Sequence, residues 1–259
     1  MTFSRRVLAP GWTRQVVFFV GLLAAWQALA WIGVWPEFIF PSPLGVLRTL
    51  ARGFQNGTFI VGMAISMERL LIGFGISAIA GMLLGLALGR IRLLDETVGS
   101  LVLGLQALPS ICWLPLALLW FGLSETAILF VVVMGALLSI TLATEAGVKN
   151  TPPIYLRAAR NLGARGWRLY ALVILPAALP AIITGMKLGW SFAWRSLMAG
   201  ELLYAGLGLG QLLMMGRELN DMNQVVAVMF LIIAIGLTVD RLIFAPIESR
   251  VRERWGLQA

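Results

Sequence analysis

The distribution of apolar residues in long runs limits what this chain can fold into more than any motif does. Six runs are separated by shorter polar segments. A helix needs roughly 20 mainly apolar residues to cross a bilayer. The sequence therefore predicts an all-α membrane protein with one transmembrane domain, 16–244, between tails 1–15 and 245–259. The six predicted spans are 16–34, 70–88, 98–120, 126–143, 177–197 and 225–244.

Composition excludes several other classes of protein. Hydrophobic residues make up 59% of the chain and charged residues 12%, against about a quarter charged in soluble domains. The net charge of +8 comes without a hydrophilic domain that could hold a duplex, so no nucleic-acid partner is predicted. The chain has no histidine and a single cysteine, Cys112. No metal site and no intrachain disulfide is therefore expected.

The cations are distributed unequally between the loops. If the N-terminus is cytoplasmic, fourteen Lys and Arg residues fall in the inner segments and four (Arg48, Arg52, Arg69 and Arg217) in the outer ones. Loops that stay in the cytoplasm are enriched in Lys and Arg. The pattern predicts that both termini and the polar segment 144–176 are cytoplasmic.

The segment 144–176 is a basic interruption between two apolar runs. Within it, 155–162 has good helix formers, Thr151-Pro152-Pro153 suits a helix start, and Gly163 suits a helix end. This pattern predicts a short helix at the cytoplasmic face, able to transmit a push from a soluble partner into both flanking spans. Periodicity alone leaves an ordinary loop as the alternative.

The spacing within this segment matches a known motif. Ala158-Ala159, three residues, Gly163, nine residues and Val173-x-Leu175-Pro176 follow one another. This order resembles the EAA loop of permease subunits in bacterial ATP-driven (ABC) importers, which reads EAA, three residues, G, nine residues, I-x-L-P. Arg157 stands where that family usually has Glu, so the role of the Glu is not carried over to Arg157.

The resemblance extends over about residues 40–255. The stretches 105–122, 193–203 and 240–255 look like the branch that imports nitrate, taurine and aliphatic sulfonates. It implies a type I importer permease fold in the bacterial inner membrane, a second copy of the permease, two cytoplasmic ATPase subunits and an extracytoplasmic solute-binding protein. The residues that it places at the ATPase contact are Tyr155, Arg157, Ala158, Ala159, Arg160, Leu162, Gly163 and Pro176.

The chain itself lacks the phosphate loop of an ATPase. No G-x-x-x-x-G-K-[ST] run exists, and Lys149 and Lys187 are the only lysines. We therefore expect this chain to bind no cofactor and to perform no enzymatic reaction, with ATP-Mg bound by the partner ATPase. The Gly206-x-Gly208-x-Gly210 run follows no predicted strand, which favours a turn over a nucleotide site.

A polar stripe lies inside the fifth predicted span. Lys187, Ser191 and Arg195 are spaced by four residues and share one side of a helix. Cations inside a span cost free energy and usually face water or a partner. The stripe is a candidate pathway for an anionic solute, and pairing with an acid on another helix is the alternative.

Three further residues are candidates for the pathway or a gate. Glu201 lies near the outer end of the same span, where a gate, a contact to the binding protein or a solvated helix end would each fit. Trp194 flanks the stripe, where its ring could stack on a solute, and ordinary packing between helices is the alternative. Pro109 interrupts the third span and predicts a kink or local unwinding.

The sequence thus predicts the permease subunit of an ATP-driven importer for a small anionic solute of the sulfonate, taurine or nitrate type. An ion-coupled secondary transporter is the alternative, and it would need acids at mid-membrane depth. An intramembrane enzyme would need a catalytic pair within a span, and neither Cys112 nor Ser191 has an evident base nearby.

Overall fold

The computed structural model describes residues 11–204 and 206–255, with side chains from Thr13 onward. The predicted tail residues Arg5 and Arg6 and residues 256–259 lie outside this described part. All regular elements of the described residues are helices. In chain order they are α1 (Gly11–Ile32), α2 (Pro43–Gln55), α3 (Thr58–Arg90), α4 (Arg92–Gln106), α5 (Ser110–Phe121), α6 (Glu125–Lys149), α7 (Pro153–Asn161), α8 (Trp167–Leu203), α9 (Leu209–Glu218) and α10 (Met222–Arg254).

Five of the described helices are long and apolar enough to cross a membrane, namely α1, α3, α6, α8 and α10. The pair α4 and α5 passes the same test together but is bent by 104° at the break between them. Counted as one broken span, the pair makes six, the number that the sequence predicts. Several helices exceed the predicted spans, and α10 continues to Arg254 through a π-helical turn at Asp240–Phe244.

The broken span reflects its two prolines. Pro109 precedes a 3₁₀ turn, Ser110–Trp113, and has the extended ψ of 136° that ends a helix. Pro115 lies in the first turn of the following helix, where its missing N–H costs nothing. Proline therefore unwinds the span at residue 109 and only begins a helix at residue 115.

Helix α6 lies against both α3 and α8, and small residues permit the contacts. A Cβ at Gly147 would come within 2.9 Å of the Ala181 side chain of α8. A Cβ at Gly89 of α3 would come within 2.7 Å of the Val148 side chain. Gly75, by contrast, faces open space. Close backbone approach through small residues is the usual way that membrane helices associate.

The chain divides into two compact units. The first contains the described residues up to Ile60 together with Leu212–Phe230, and the second contains Val61–Gln211 and the described residues from Leu231. In the first unit, the Ser42 hydroxyl caps α2 by accepting from the Gly45 N–H at 3.1 Å, and Gly53 packs against the Phe59 ring. All residues that the sequence assigns to coupling or to the pathway lie in the second unit.

Candidate coupling helix and translocation site

The short helix predicted in the polar segment is present as α7. It begins with Pro153 at its first position, where proline has the right φ and lacks only an unneeded donor. Its last helical residue is Asn161, and the chain leaves the helix at Gly163, whose φ of +84° is in the left-handed region. The Gly163 N–H donates to the Arg160 carbonyl at 3.0 Å and the Ala164 N–H to the Ala159 carbonyl at 2.9 Å. This pair of bonds is the Schellman motif, so the end of α7 is fixed by its sequence.

One side of α7 is packed into the protein. Ala159 is 7% exposed and belongs to an apolar cluster with Val148 of α6 and with Leu169, Ile174 and Ala178 of α8. Leu156, one turn earlier, packs against the same cluster. Because this cluster includes both flanking helices, a displacement of α7 acts directly on α6 and α8.

The other side of α7 is exposed. Leu162 is 88% exposed, and Tyr155, Arg157, Ala158 and Arg160 are exposed as well. Ile154 and Trp167 extend this apolar and cationic surface at the two ends. Exposed apolar side chains beside cations make this surface a candidate for contact with another protein. We call the exposed residues 154, 155, 157, 158, 160, 162 and 167 the α7 outer face.

Pro176, the last residue of the predicted coupling set, lies inside α8. Helix α8 begins at Trp167, before the predicted span start at residue 177, and runs through a π-helical turn at Tyr170–Ile174. The wider turn precedes Pro176, which occupies an early position of the α-helical part that starts at Leu175. The proline therefore does not break α8.

Lys187 of the predicted stripe is paired with carboxylates of α10. Its Nζ lies 3.1 Å from Asp240 and 3.4 Å from Glu248. Glu248 also pairs with Arg252 at 2.7 Å. This geometry favours the structural alternative for Lys187, in which it joins two helices of one chain.

Arg195 differs from Lys187 in having no carboxylate within 4 Å among the described residues. Its Nε donates to the Ser191 carbonyl at 3.2 Å, and its guanidinium lies over the Phe192 ring at 5.1 Å. Ser191 in turn donates its hydroxyl to the Lys187 carbonyl at 3.2 Å. Arg195 is exposed, and its remaining donors are free to meet an anion.

A polar cavity of about 160 Å³ lies at the break between α4 and α5. Pro109, Gln106, Ser110, Trp113 and Phe192 are among its lining residues. Gln106 donates to the Ser139 hydroxyl at 3.0 Å. Phe192 lies next to two of the predicted pathway residues. It lines this cavity together with Pro109, and its ring contacts the Arg195 guanidinium.

Trp194 is buried, at 9% exposure, within the second unit. Its indole nitrogen lies 3.7 Å from the position that a Cβ at Gly236 of α10 would occupy. This position favours packing between α8 and α10 over contact with a solute.

Glu201 is fully buried, with 0% exposure, which excludes the solvated helix end expected as one alternative. Its carboxylate accepts from the Arg69 guanidinium at 3.0 Å and from the Ser66 hydroxyl at 2.9 and 2.7 Å. It also accepts from the Gly210 N–H at 3.0 Å. A buried carboxylate is stable only when paired and hydrogen-bonded in this way.

The network around Glu201 joins several segments. Arg69 also donates to Glu125 at the start of α6 at 2.7 Å and to the Leu207 carbonyl at 2.8 Å. The Ser66 hydroxyl accepts from the Leu209 N–H at 2.8 Å. A Cβ at Gly208 would come within 2.6 Å of the Glu201 carboxylate. The glycine run is therefore a turn that closes over Glu201, as the sequence favours over a nucleotide site.

Sequence reasoning missed several members of these sites. The cation pattern predicts Arg69 in an outer loop, but Arg69 is 6% exposed and belongs to α3. The spacing of Ser66 and Arg69 by one helical turn in an apolar segment was a signal that could have found them. The pairing of Lys187 with Asp240 and Glu248 depends on contacts between distant segments, which no local pattern indicates.

Comparison with known proteins gives the class of protein. Residues 77–253 match the family described as binding-protein-dependent transport system inner membrane component. The chain belongs to this family. It is therefore the permease type of subunit, a transmembrane component of a transport system that works with an ATPase and a binding protein, and the secondary-transporter alternative is not supported.

Three relatives indicate the branch. The chain is 34% identical to a protein named as a permease for aliphatic sulfonates in Escherichia coli K12, over 91% of this chain and 89% of the relative. It is 29% identical to the taurine transport system permease protein of the same organism, over 83% and 82%. It is 28% identical to the nitrate import permease protein of Synechocystis, over 95% and 91%. These relatives confirm the predicted branch.

A solved structure confirms the fold class. The crystal structure of an amino acid ABC transporter matches with a TM-score of 0.64 at 18% identity, over 78% of this chain and 97% of the other. The all-helical, multi-pass fold of an importer permease is therefore that of this chain.

Proposed function

We propose that this chain forms the solute pathway of an ATP-driven importer and that α7 is the helix on which the ATPase docks. The observation that carries this proposal is the division of α7 into two sides. Ala159 and Leu156 pack against α6 and α8, whereas the α7 outer face is free. A movement of the ATPase would push on the exposed side of α7, and the packed side of α7 would transmit this movement to α6 and α8.

The orientation proposed for the chain places α7 and both termini in the cytoplasm. Ala178 of α8 packs in the α7 cluster, and Glu201 lies 23 residues further along the same helix. At 1.5 Å per residue this separation is roughly 35 Å, more than the hydrocarbon thickness of about 30 Å. The α7 outer face and the Glu201 network therefore belong to opposite faces of the membrane. The excess of cations near α7 supports the cytoplasmic assignment.

The solute proposed for this importer is a small anion of the sulfonate, taurine or nitrate type. Arg195 has free donors, and Gln106 and Ser110 add polar groups at the neighbouring cavity. A guanidinium inside a span offsets part of the desolvation cost of an anion. The names of the relatives, which refer to aliphatic sulfonates, taurine and nitrate, agree with this chemistry.

The assembly proposed contains two copies of this chain, two ATPase subunits that bind ATP-Mg, and a solute-binding protein at the outer face. Glu201 and its partners would hold the outer turn in the position that the binding protein meets. A mass of the purified complex that does not fit two copies of each membrane-associated subunit would contradict this stoichiometry.

The docking proposal is tested by Leu162→Glu. Leu162 is almost fully exposed, so a carboxylate there leaves the fold intact but places charge in the proposed ATPase contact. We expect recovery of the cognate ATPase with the tagged permease to fall by roughly tenfold or more, the effect of altering a central interface residue.

Leu219→Glu is the matched control, because Leu219 is also exposed and lies outside the α7 outer face. It should leave ATPase recovery unchanged. Equal recovery of the ATPase with Leu162→Glu and with the unaltered chain would remove α7 from the docking surface.

A further inference from the structure

A cleft at the end of α10 is lined by none of the proposed coupling or pathway residues. It has a volume of about 380 Å³ and is lined by Leu179 of α8 together with Ile247, Arg250, Val251, Glu253, Arg254 and Trp255. Its walls combine aliphatic side chains with two guanidinium groups and one indole.

The side chains of helix α10 change from mainly apolar to mainly charged at the level of this cleft. With 33 residues it is roughly 50 Å long, which exceeds the hydrocarbon core of about 30 Å. Exposed apolar side chains continue along it to Leu242, Ile243 and Ile247. From Glu248 onward the helix is mainly charged. The change falls between Ile247 and Arg250, so the cleft lies at the level of the lipid headgroups.

The two arginines of the cleft are available to a ligand. Arg250 and Arg254 are one helical turn apart and exposed, and neither forms an ion pair with a described residue. Arg252, by contrast, is paired with Glu248. Arg250 and Arg254 against Glu253 leave the cleft with a charge of +1 (two minus one). A guanidinium fork matches the oxygens of a phosphate.

The aliphatic walls select for a lipid over a free anion. Leu179, Ile247 and Val251 line the cleft next to the arginines, and such a surface suits the start of an acyl chain. Trp255 is half-buried at the rim, and tryptophan is enriched at the membrane–water interface. Basic pockets at the cytoplasmic end of transmembrane helices bind anionic headgroups.

We propose that this cleft binds the headgroup of an anionic phospholipid, with Arg250 and Arg254 on the phosphate and the aliphatic wall against the upper acyl chain. The proposal goes beyond the transport function and depends on the membrane location of α10 and on the cytoplasmic orientation proposed for its end. The lipid would fix the end of α10 against Leu179, the part of α8 that is adjacent to the α7 cluster.

The test is native mass spectrometry of the full-length permease, titrated with phosphatidylglycerol and with phosphatidylcholine of the same acyl chains. The unaltered protein should retain phosphatidylglycerol in preference to phosphatidylcholine. The double variant Arg250→Gln/Arg254→Gln should bind phosphatidylglycerol about 30-fold more weakly, the effect of removing two arginines near an anionic surface.

Two further variants make the result decisive. Arg48→Gln/Arg52→Gln removes another pair of exposed arginines one turn apart on a different helix and should change nothing. Arg250→Lys/Arg254→Lys keeps the charge but loses the guanidinium forks, so its binding of phosphatidylglycerol should lie between that of the unaltered protein and that of Arg250→Gln/Arg254→Gln. A measurably weaker binding by this variant tests the cleft even if the Gln variant does not fold.

Three outcomes would overturn the proposal. In the first, the unaltered protein binds both lipids equally. In the second, the Arg250→Gln/Arg254→Gln variant retains phosphatidylglycerol but loses the ATPase, so that the cleft is a protein contact. In the third, millimolar inorganic phosphate displaces the lipid from the unaltered protein completely, so that the site holds a free anion.

Discussion

The two ends of α8 are held by opposite kinds of interaction. Near Trp167, α8 packs on α6 and α7 through an apolar cluster that includes Ala159 and Ala178. Near Glu201, it is held by a buried carboxylate that accepts hydrogen bonds from Arg69, Ser66 and Gly210. The first end lies next to the exposed α7 outer face. The second end is covered by the turn that contains Gly208 and Gly210.

These two kinds of interaction explain how α8 can move at one end and stay fixed at the other. Apolar contacts have no preferred direction, so packed helices can shift slightly at little cost. A buried ion network is stable in one geometry only, because any lost partner leaves a buried charge unpaired. We therefore expect the α7 end to follow the ATPase while the Glu201 network keeps its arrangement.

The largest expected effect comes from removing the buried charge. Glu201→Gln leaves Arg69 partly unpaired inside the protein, so the free energy of unfolding should fall by about 3–5 kcal/mol. Thermal unfolding of the purified permease in detergent measures this change. The double variant Arg69→Met/Glu201→Leu should be less destabilised than Glu201→Gln, since it leaves no unpaired buried charge and Glu125 is exposed to water.

Glu125→Gln sharpens the comparison within the same network. The Glu125 side chain is 63% exposed although it also pairs with Arg69. An exposed partner contributes at most about 1 kcal/mol. Equal, small effects of Glu201→Gln and Glu125→Gln would show that the outer end of α8 does not depend on the buried network.

A smaller effect, on transport rather than stability, is expected at Arg195. Arg195→Gln removes the free guanidinium, so uptake of labelled taurine or nitrate into proteoliposomes that contain the complete importer should fall roughly tenfold, as for the loss of one charged hydrogen bond. Its unfolding temperature should not change, because Arg195 has no carboxylate partner among the described residues.

Lys187→Gln is the matched control on the same stripe. It leaves Asp240 without its cation, while Glu248 keeps Arg252, and it should lower stability by about 1 kcal/mol. Uptake per folded complex should stay the same. Unchanged uptake with Arg195→Gln would remove Arg195 from the proposed pathway.

Local sequence signals predicted most of the fold. Span length gave the membrane class, and proline at position 153 with glycine at position 163 gave both ends of α7, because helix ends are determined by nearby residues. The break at Pro109 follows from the same kind of local rule.

Pairings between distant segments could not be predicted. Lys187 and Asp240 are separated by more than fifty residues, and Arg69 and Glu201 by 132. Both pairs depend on how helices pack, and no local periodicity records this packing. For this reason the sequence predicts Arg69 as an outer-loop cation, although Arg69 is buried in α3.

We expect the α7 outer face, and not the packed side of α7, to contact the ATPase. Single cysteines introduced in a Cys112→Ser background at Tyr155, Ala158, Leu162 and Ala159 can be treated with a short thiol cross-linker in the presence of the cognate ATPase. Cross-links to the ATPase are expected from Tyr155, Ala158 and Leu162 and none from Ala159, which is buried. Cross-linking from Ala159 alone, or from none of the four positions in an assembled complex, would contradict this expectation.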